Sequence, residues 1–282
     1  DYMAFGLPVF KSGITGFGNI IQILNQRLIY FFSGLSFILA TVLLFKRLPQ
    51  SKIHMGISVV FMFIFLAGTI ICAFNTWSFY KNDLHEKKQV IEVNRQYENS
   101  DFVYMTDASI DFSHNKNSFK AAVELKFINL NNKSLDRYLF SLNPGLEVTS
   151  VLSGGTGLSF KRIHHIIEID PGRSLDPGQS DSLVISYSGM INESFSYPNY
   201  SDNLKETPYR VEMLNVNKRR VFLTENYVLL TPETHWYPVP GLNYYPSNPV
   251  RIKVDFTRFN IRVKTENGLF AVSQGILKSE KG

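Results

Sequence analysis

Two long runs of apolar residues lie in the first third of the chain. Neither run, 28–45 or 53–80, contains a charged residue, and neither has a polar face. About 18 apolar residues in a helix are enough to cross the hydrocarbon core of a membrane. The pattern therefore predicts a transmembrane helical hairpin over 28–77, with helices at about 28–46 and 53–77, and favours it over a pair of buried core helices.

The chain becomes polar after the second run, and from residue 101 the spacing of its apolar residues changes. Residues 78–100 contain neither Gly nor Pro, which predicts a solvated helical stalk that leaves the membrane. From residue 101 onward, apolar and polar positions alternate, and the segment 250–256 repeats the pattern of 118–129. This alternation predicts strands with one buried face. In the first of these segments the apolar face consists of Phe119, Ala121, Val123, Leu125 and Phe127.

Turn signals separate the predicted strands. "NPG", "SGGTG" and "DPGQ" interrupt the alternating segments, and no long amphipathic helix lies between them. Short alternating strands joined by such turns are typical of an antiparallel β-sandwich. The predicted fold is two transmembrane α-helices, then a helical stalk, then an all-β domain over 101–282.

The charge distribution and the cysteine content predict the membrane orientation and exclude some classes of partner and site. The loop 46–54 carries three basic residues and no acidic one, so the positive-inside rule predicts that it is cytoplasmic and that the β domain is extracytoplasmic. The net charge of +5 has no dense basic block, which argues against nucleic-acid binding. The single cysteine, Cys72, excludes a disulfide within one chain and a metal site built on cysteines.

The pre-membrane segment 1–27 begins with Asp1 and does not resemble a secretory signal. We therefore expect the chain to be a piece of a longer protein.

Two histidine motifs are candidates for a metal site. "HEKKQ" at 85–89 differs by one residue from the zinc-peptidase signature H-E-x-x-H, because Gln89 replaces the second histidine. His164 and His165 are adjacent in a predicted strand, where they point to opposite faces, one exposed and one half-buried. No metal site and no catalytic set is predicted within this chain.

The β region resembles the N-terminal saddle-shaped domain of the zinc aminopeptidases related to aminopeptidase N. The four matching segments follow one another between residues 118 and 275. In the family's order, they are "SFKAAVELKFINLNNKSLDRYLFSLNPGLEVTSV", "LDPGQSDSLVISYSGMINES", "LLTPETHWYPVPG" and "FNIRVKTENGLFAVSQG".

The upstream part is similar to one bacterial subfamily. There the last membrane spans of an ABC-exporter-type permease region are joined to an aminopeptidase-like region, as in "RLIYFFSGLSFILATVLLFKR" followed by a second span and the β domain. The resemblance implies the bacterial inner membrane, lipid contact, and an ABC ATPase and other membrane subunits as partners. It also implies a zinc ion and a peptide substrate only in a catalytic domain downstream, since the family's zinc motif is not in this chain.

The segment 229–241 is where the resemblance implies substrate contact. Glu233 matches the family's residue that accepts the substrate's α-amine. The alternative is a packed structural wall in which the prolines fix the backbone and the aromatic rings supply contact area. Its members would be Trp236, Tyr237, Pro238 and Pro240.

Two functions stay open at this point. In the first, the chain is the anchor and non-catalytic N-terminal portion of a membrane-bound zinc aminopeptidase. In the second, the β-sandwich is a non-catalytic extracytoplasmic binding or assembly domain of an exporter-like complex. Whether the whole protein is an enzyme depends on residues outside this sequence.

Overall fold

The computed structural model describes residues 11–12, 16–17, 20–45, 52–196, 221–248, 255–266 and 268–280. Contacts divide these residues into two compact units, one up to Glu86 and one from Lys87 onward. The helices are α1 (Ile20–Leu44) and α2 (Lys52–Tyr97). The strands are β1 (Lys11–Ser12), β2 (Gly16–Phe17), β3 (Tyr104–Asn115), β4 (Ser118–Ile128), β5 (Tyr138–Ser141), β6 (Leu146–Ser153), β7 (Thr156–Gly157), β8 (Ser159–Ile163), β9 (Ile166–Asp170), β10 (Ser180–Gly189), β11 (Phe222–Leu223), β12 (Val228–Leu229), β13 (Val239–Pro240) and β14 (Arg258–Lys264).

The first unit contains α1 and the first part of α2, which pack side by side. The ring of Phe32 lies against Gly68, where an added Cβ would be 3.0 Å from a ring carbon, and it stacks on Phe65 at 6.2 Å between ring centroids. The Ser36 hydroxyl donates to the Met62 carbonyl at 3.3 Å. Since the contact partners run in opposite directions, the two helices are antiparallel. Both are long and apolar enough to cross a membrane, by length and composition.

The second unit is built on a six-stranded sheet in the order β14-β3-β4-β10-β6-β7. The prediction for β4 is confirmed, because every second side chain from Phe119 to Phe127 is buried and Lys120 and Glu124 are exposed. The expectation of a purely antiparallel sheet is wrong at one edge. There β14 runs parallel to β3, in a register that pairs Arg258 with Asp107. A parallel neighbour requires a long connection, and β14 returns to this edge only after the rest of the domain.

A four-stranded sheet, β13-β5-β9-β8, packs over the first one. Phe127 of β4 contacts Tyr138 and Phe140 of β5, with ring centroids 4.9 and 5.7 Å apart. All four residues of β5 are buried, because the other face of this sheet is covered as well. That cover is the end of α2, whose Val93 and Tyr97 pack on Leu139. The domain is therefore a β-sandwich with a helical third layer.

Two sequence-based expectations change here. The stalk predicted over 78–100 is not solvated along its whole length, since the last turns of α2 are part of the β domain's core. The expectation for His164 and His165 is also wrong. They form the tight turn between β8 and β9, where His164 has a φ of 53° and His165 is completely buried. Most of the predicted strand 250–256 and most of segment 1–27 lie outside the described residues.

Candidate functional site

The segment 229–241 runs from the end of β12 through β13. Thr231 precedes a single 3₁₀ turn, Pro232–Thr234, and His235 ends it in the left-handed conformation with a φ of 46°. The His235 amide donates to the Pro232 carbonyl at 3.0 Å. A histidine pays a steric cost in this region, so the surrounding structure must hold the turn in place.

Asn143 is the residue that holds the turn. Its side-chain amide donates to the carbonyls of Thr234 and Asn192, each at 3.0 Å, and its Oδ1 accepts from the amides of Gly145 at 3.0 Å and Asn192 at 2.8 Å. The backbone N–H of Asn143 also donates to the His235 carbonyl, at 2.9 Å. All of the side chain's hydrogen-bonding capacity is used, and Asn143 is fully buried. One asparagine therefore ties three separate segments together.

The aromatic pair after the turn packs against the core. Trp236 meets Phe112 edge to face at 5.9 Å and Tyr237 at 5.0 Å, and Tyr237 meets Phe259 of β14 at 5.5 Å. The Tyr187 hydroxyl donates to the Trp236 carbonyl at 3.0 Å. Both rings of the pair are half-buried. Each ring packs against the core on one side and is exposed to solvent on the other.

The prolines complete the segment as a strand edge. Pro238 and Pro240 are buried, and β13 pairs with β5 through Val239–Ser141 and Pro240–Phe140. The Ser141 hydroxyl donates to the Gly241 carbonyl in a short hydrogen bond. Proline lacks the amide donor, and this pairing places it at the edge of the four-stranded sheet, where the donor is not needed.

Glu233 lies in the middle of the 3₁₀ turn with an exposed side chain. Of the predicted site residues, it is the one that presents a charge to solvent. The zinc-like motif does not form a site. His85 and Gln89 are both exposed, and among the described residues no three His, Cys, Asp or Glu side chains are placed to hold a metal ion.

A second polar centre lies under the turn, and sequence analysis did not find it. Asn94 of α2 donates from Nδ2 to Asn243 Oδ1 at 2.9 Å and to the Tyr244 carbonyl at 3.0 Å, which fixes the orientation of its amide. Asn94 Oδ1 must then accept from His165 Nε2, at 2.8 Å. In the neutral ring His165 Nδ1 is an acceptor, and it faces His164 Nδ1 at 3.1 Å. Burial lowers the pKa of His165, and the nearby His164, His235 and Arg162 lower it further.

Two further basic side chains, His235 and Arg162, lie near this centre. Burial lowers the pKa of His235 to about 4, and the Glu233 carboxylate opposes that effect. Burial also lowers the pKa of Arg162 to about 10, and its Nη2 donates to the carbonyls of Leu142 at 2.8 Å and Asn143 at 3.0 Å. Within the described part of the chain, His235 Nδ1 and Arg162 Nη1 have no hydrogen-bond partner.

The signal for this centre was present in the sequence. Val90, Val93, Asn94 and Tyr97 have the i, i+3, i+4, i+7 spacing of one helix face, and all four are buried. The asparagine in an otherwise apolar stripe marks a helix that is docked through a polar contact. For Asn143, the "NPG" signal at 143–145 predicts a turn. It does not predict the hydrogen bonds of the asparagine side chain.

An open cleft of about 1040 Å³ lies elsewhere on the domain, and two of its carboxylates are paired with its own cations. Lys133 pairs with Asp101 at 2.7 Å, and Arg137 pairs with Glu168 at 2.7 Å. The hydroxyl of Tyr97 donates to the second oxygen of Glu168 at 3.0 Å. Because Asp101 and Glu168 are already compensated, the cleft is a weaker candidate than the segment 229–241.

No protein-family model and no curated protein matches the chain. Several solved structures are similar to it in fold. An M1 zinc metallopeptidase from Deinococcus radiodurans bound to a Tyr-Ser-Ala substrate has a TM-score of 0.45 and 16% identity, over 64% of this chain and 37% of that protein. A two-domain M1 zinc metallopeptidase bound to L-arginine has a TM-score of 0.44 and 17% identity, with coverages of 64% and 37%.

Yeast LTA4 hydrolase has a TM-score of 0.28 and 14% identity, over 34% of this chain and 16% of that protein. The chain thus spans well under half the length of the structures that it matches. At these identities and scores the likeness concerns the fold alone, and no activity follows from it.

Proposed function

We propose that this chain is the membrane-anchored, non-catalytic N-terminal portion of an aminopeptidase N-like zinc metallopeptidase fused to an ABC-type permease region. In this proposal the β domain supplies one wall of a substrate cleft. The catalytic domain follows downstream, and that domain holds the zinc ion. The described residues of this chain do not fit a zinc site, so no chemical step is assigned to them.

The observation that carries the proposal is the setting of Glu233. It is exposed on a turn whose backbone is fixed by the buried Asn143, and a rigid pair of aromatic rings follows it directly. A carboxylate fixed in this way can accept a charge-assisted hydrogen bond from a peptide's α-ammonium group. The half-buried Trp236 and Tyr237 then offer an apolar surface beside the bound amine.

We expect Glu233→Gln in the full-length protein to raise KM for peptides with a free N-terminus by at least about tenfold, the equivalent of one hydrogen bond to a charged group. The value of kcat should change much less, because the amide removes binding of the amine and not the chemistry. Steady-state kinetics on peptides with free and acetylated N-termini measure this difference.

Glu225→Gln is the matched control, since Glu225 is exposed in the same stretch of chain and lies outside the turn. It should leave KM unchanged. Equal KM values for the two variants would show that Glu233 does not bind the amine.

The membrane arrangement is part of the same proposal. The two apolar helices anchor the chain in a bacterial inner membrane, with lipid, an ABC ATPase and other membrane subunits as partners and with the β domain outside the cytoplasm. The motivation is the basic loop 46–54 between the helices. A cysteine at Ser51, in a Cys72→Ser background, should resist an impermeant thiol reagent in intact cells. Labelling from outside would reverse the proposed orientation.

An exposed apolar segment favours the second function, a binding or assembly domain without catalysis. Near the end of the described chain, five large apolar side chains are each at least 76% exposed. Such surface is typical of a site that another protein surface covers. These residues are Phe256, Phe270, Val272, Ile276 and Leu277.

A further inference from the structure

Three histidines and an arginine meet where the helical layer, the β8–β9 turn and the segment 229–241 converge. Phe195 lies between two of the histidines, with its ring 5.0 Å from His165 and 5.6 Å from His235. His165 and His235 are both buried, and His164 contacts His165 through Nδ1. His165 belongs to the buried network around Asn94, and His235 ends the 3₁₀ turn.

The two buried histidines have few acceptors for a second proton. The Nε2–H of His165 is used by Asn94, so a second proton would go to Nδ1, which faces His164 Nδ1 at 3.1 Å. There His164 would have to become the acceptor, in the tautomer that carries its hydrogen on Nε2. Among the described residues, the buried Nδ1 of His235 has no hydrogen-bond partner that could accept a proton.

The charges around the cluster also oppose protonation. Arg162 faces it from β8, His164 from the turn and His235 from the segment 229–241, and all three disfavour a cationic His165. The helix α2 faces it with the neutral Asn94 and carries Arg95 close to Tyr244. The Glu233 carboxylate acts on His235, where it raises the pKa against the effect of burial. A proton added to His165 would be an uncompensated buried charge.

We infer that the cluster of His164, His165 and His235 beside Arg162 is an acid-sensitive latch. At neutral pH it holds the end of α2 and the 3₁₀ turn against the β8–β9 hairpin. In acid it releases both, while the six-stranded sheet stays folded, because opening exposes the histidines to water and relieves the buried charge. The consequence is that the exposure of Glu233 and the docking of the helix are coupled to the pH outside the membrane.

Hydrogen exchange of the whole chain in detergent micelles, followed by mass spectrometry at pH 7 and pH 5, tests the latch. A histidine whose pKa moves from 6.5 to about 4 on burial makes local opening about twentyfold more favourable at pH 5 than at pH 7. After correction for intrinsic exchange rates, peptides covering 87–100 and 229–241 should lose about that factor of protection. Peptides covering 119–127 of β4 should change less than about twofold.

Two variants separate the latch from general acid unfolding. The double variant His165→Gln and His235→Gln keeps an N–H donor for Asn94 but cannot titrate, so its protection at 87–100 should not depend on pH. His114→Gln is the control, since His114 is buried outside the cluster with its Nε2 2.6 Å from the Lys116 carbonyl, and the acid response should persist.

If the double variant does not fold, the wild-type exchange profile decides alone. Loss of protection confined to 87–100 and 229–241 supports the latch. Uniform loss in all peptides, or no loss at pH 5, overturns it, and so does an acid response that the double variant retains.

Discussion

Replacing Asn143 by alanine is expected to lower the free energy of unfolding of the β domain by roughly 3–5 kcal/mol. The side chain makes four hydrogen bonds to the backbones of Gly145, Asn192 and Thr234, and both Asn143 and Thr234 are fully buried. Alanine would leave the buried Thr234 carbonyl unsatisfied, at about 1–3 kcal/mol, and would remove three part-buried hydrogen bonds of about 0.5–1.5 kcal/mol each. Urea unfolding of the chain in detergent, followed by tryptophan fluorescence, measures the loss.

The backbone around Asn143 is too closely packed to shift and restore the lost hydrogen bonds. A Cβ added at Gly145 would lie 2.2 Å from the Met190 carbonyl oxygen, so the backbones already touch. Asn260→Ala is the matched control, because Asn260 is exposed on β14, and its effect should stay within about 0.5 kcal/mol. A loss below about 1 kcal/mol for Asn143→Ala would contradict its role in holding the turn.

Trp236→Ala is expected to cost about 2–4 kcal/mol. This is less than the roughly 3–5 kcal/mol typical of a fully buried aromatic residue, because the indole is only half-buried. Its edge-to-face contacts with Phe112 and Tyr237 would be lost together with the area that it buries against the core. The same unfolding experiment, followed by far-ultraviolet circular dichroism, measures the change.

Trp77→Ala provides the comparison for Trp236. Trp77 is 56% exposed on α2, so its replacement should leave the unfolding midpoint of the β domain unchanged. A cost below about 1 kcal/mol for Trp236→Ala would mean that the indole contributes little to packing. The half-exposed indole would then be better explained by contact with a ligand.

Local patterns in the sequence predicted the parts of the fold that depend on near neighbours. The alternation in β4 and the turn signal "SGGTG" between β6 and β7 both predict what the structure contains. Each depends on side-chain period or backbone conformation over a few residues. The two apolar helices were predicted from length and composition alone.

The features that sequence analysis missed depend on contacts between distant segments. Val93 and Tyr97 were placed in a solvated stalk, although their helical spacing indicated a buried face. The sequence pattern predicts His164 and His165 in a strand, whereas the two residues form the β8–β9 turn, which buries His165 against α2. The parallel partner of β3 lies about 150 residues away in the chain, as the Arg262–Asp111 contact shows, and no local pattern announces it.

The candidate site shows the same division. The prolines and aromatic residues of 229–241 indicated a rigid segment, and the exposed Glu233 was singled out from the sequence. The role of Asn143 in fixing the turn could not be predicted from the sequence. Its hydrogen-bond partners, Asn192 and Thr234, come close to it only in the folded chain. Buried polar hubs of this kind are defined by tertiary structure.

The most direct test of the proposed function is the zinc content and aminopeptidase activity of the full-length protein in detergent, measured beside the 282-residue chain described here. The proposal predicts near-stoichiometric zinc and peptide turnover in the full-length protein, and neither in the shorter chain. A full-length protein without zinc and without turnover would contradict it, and the β domain would then be a binding or assembly module of a membrane complex.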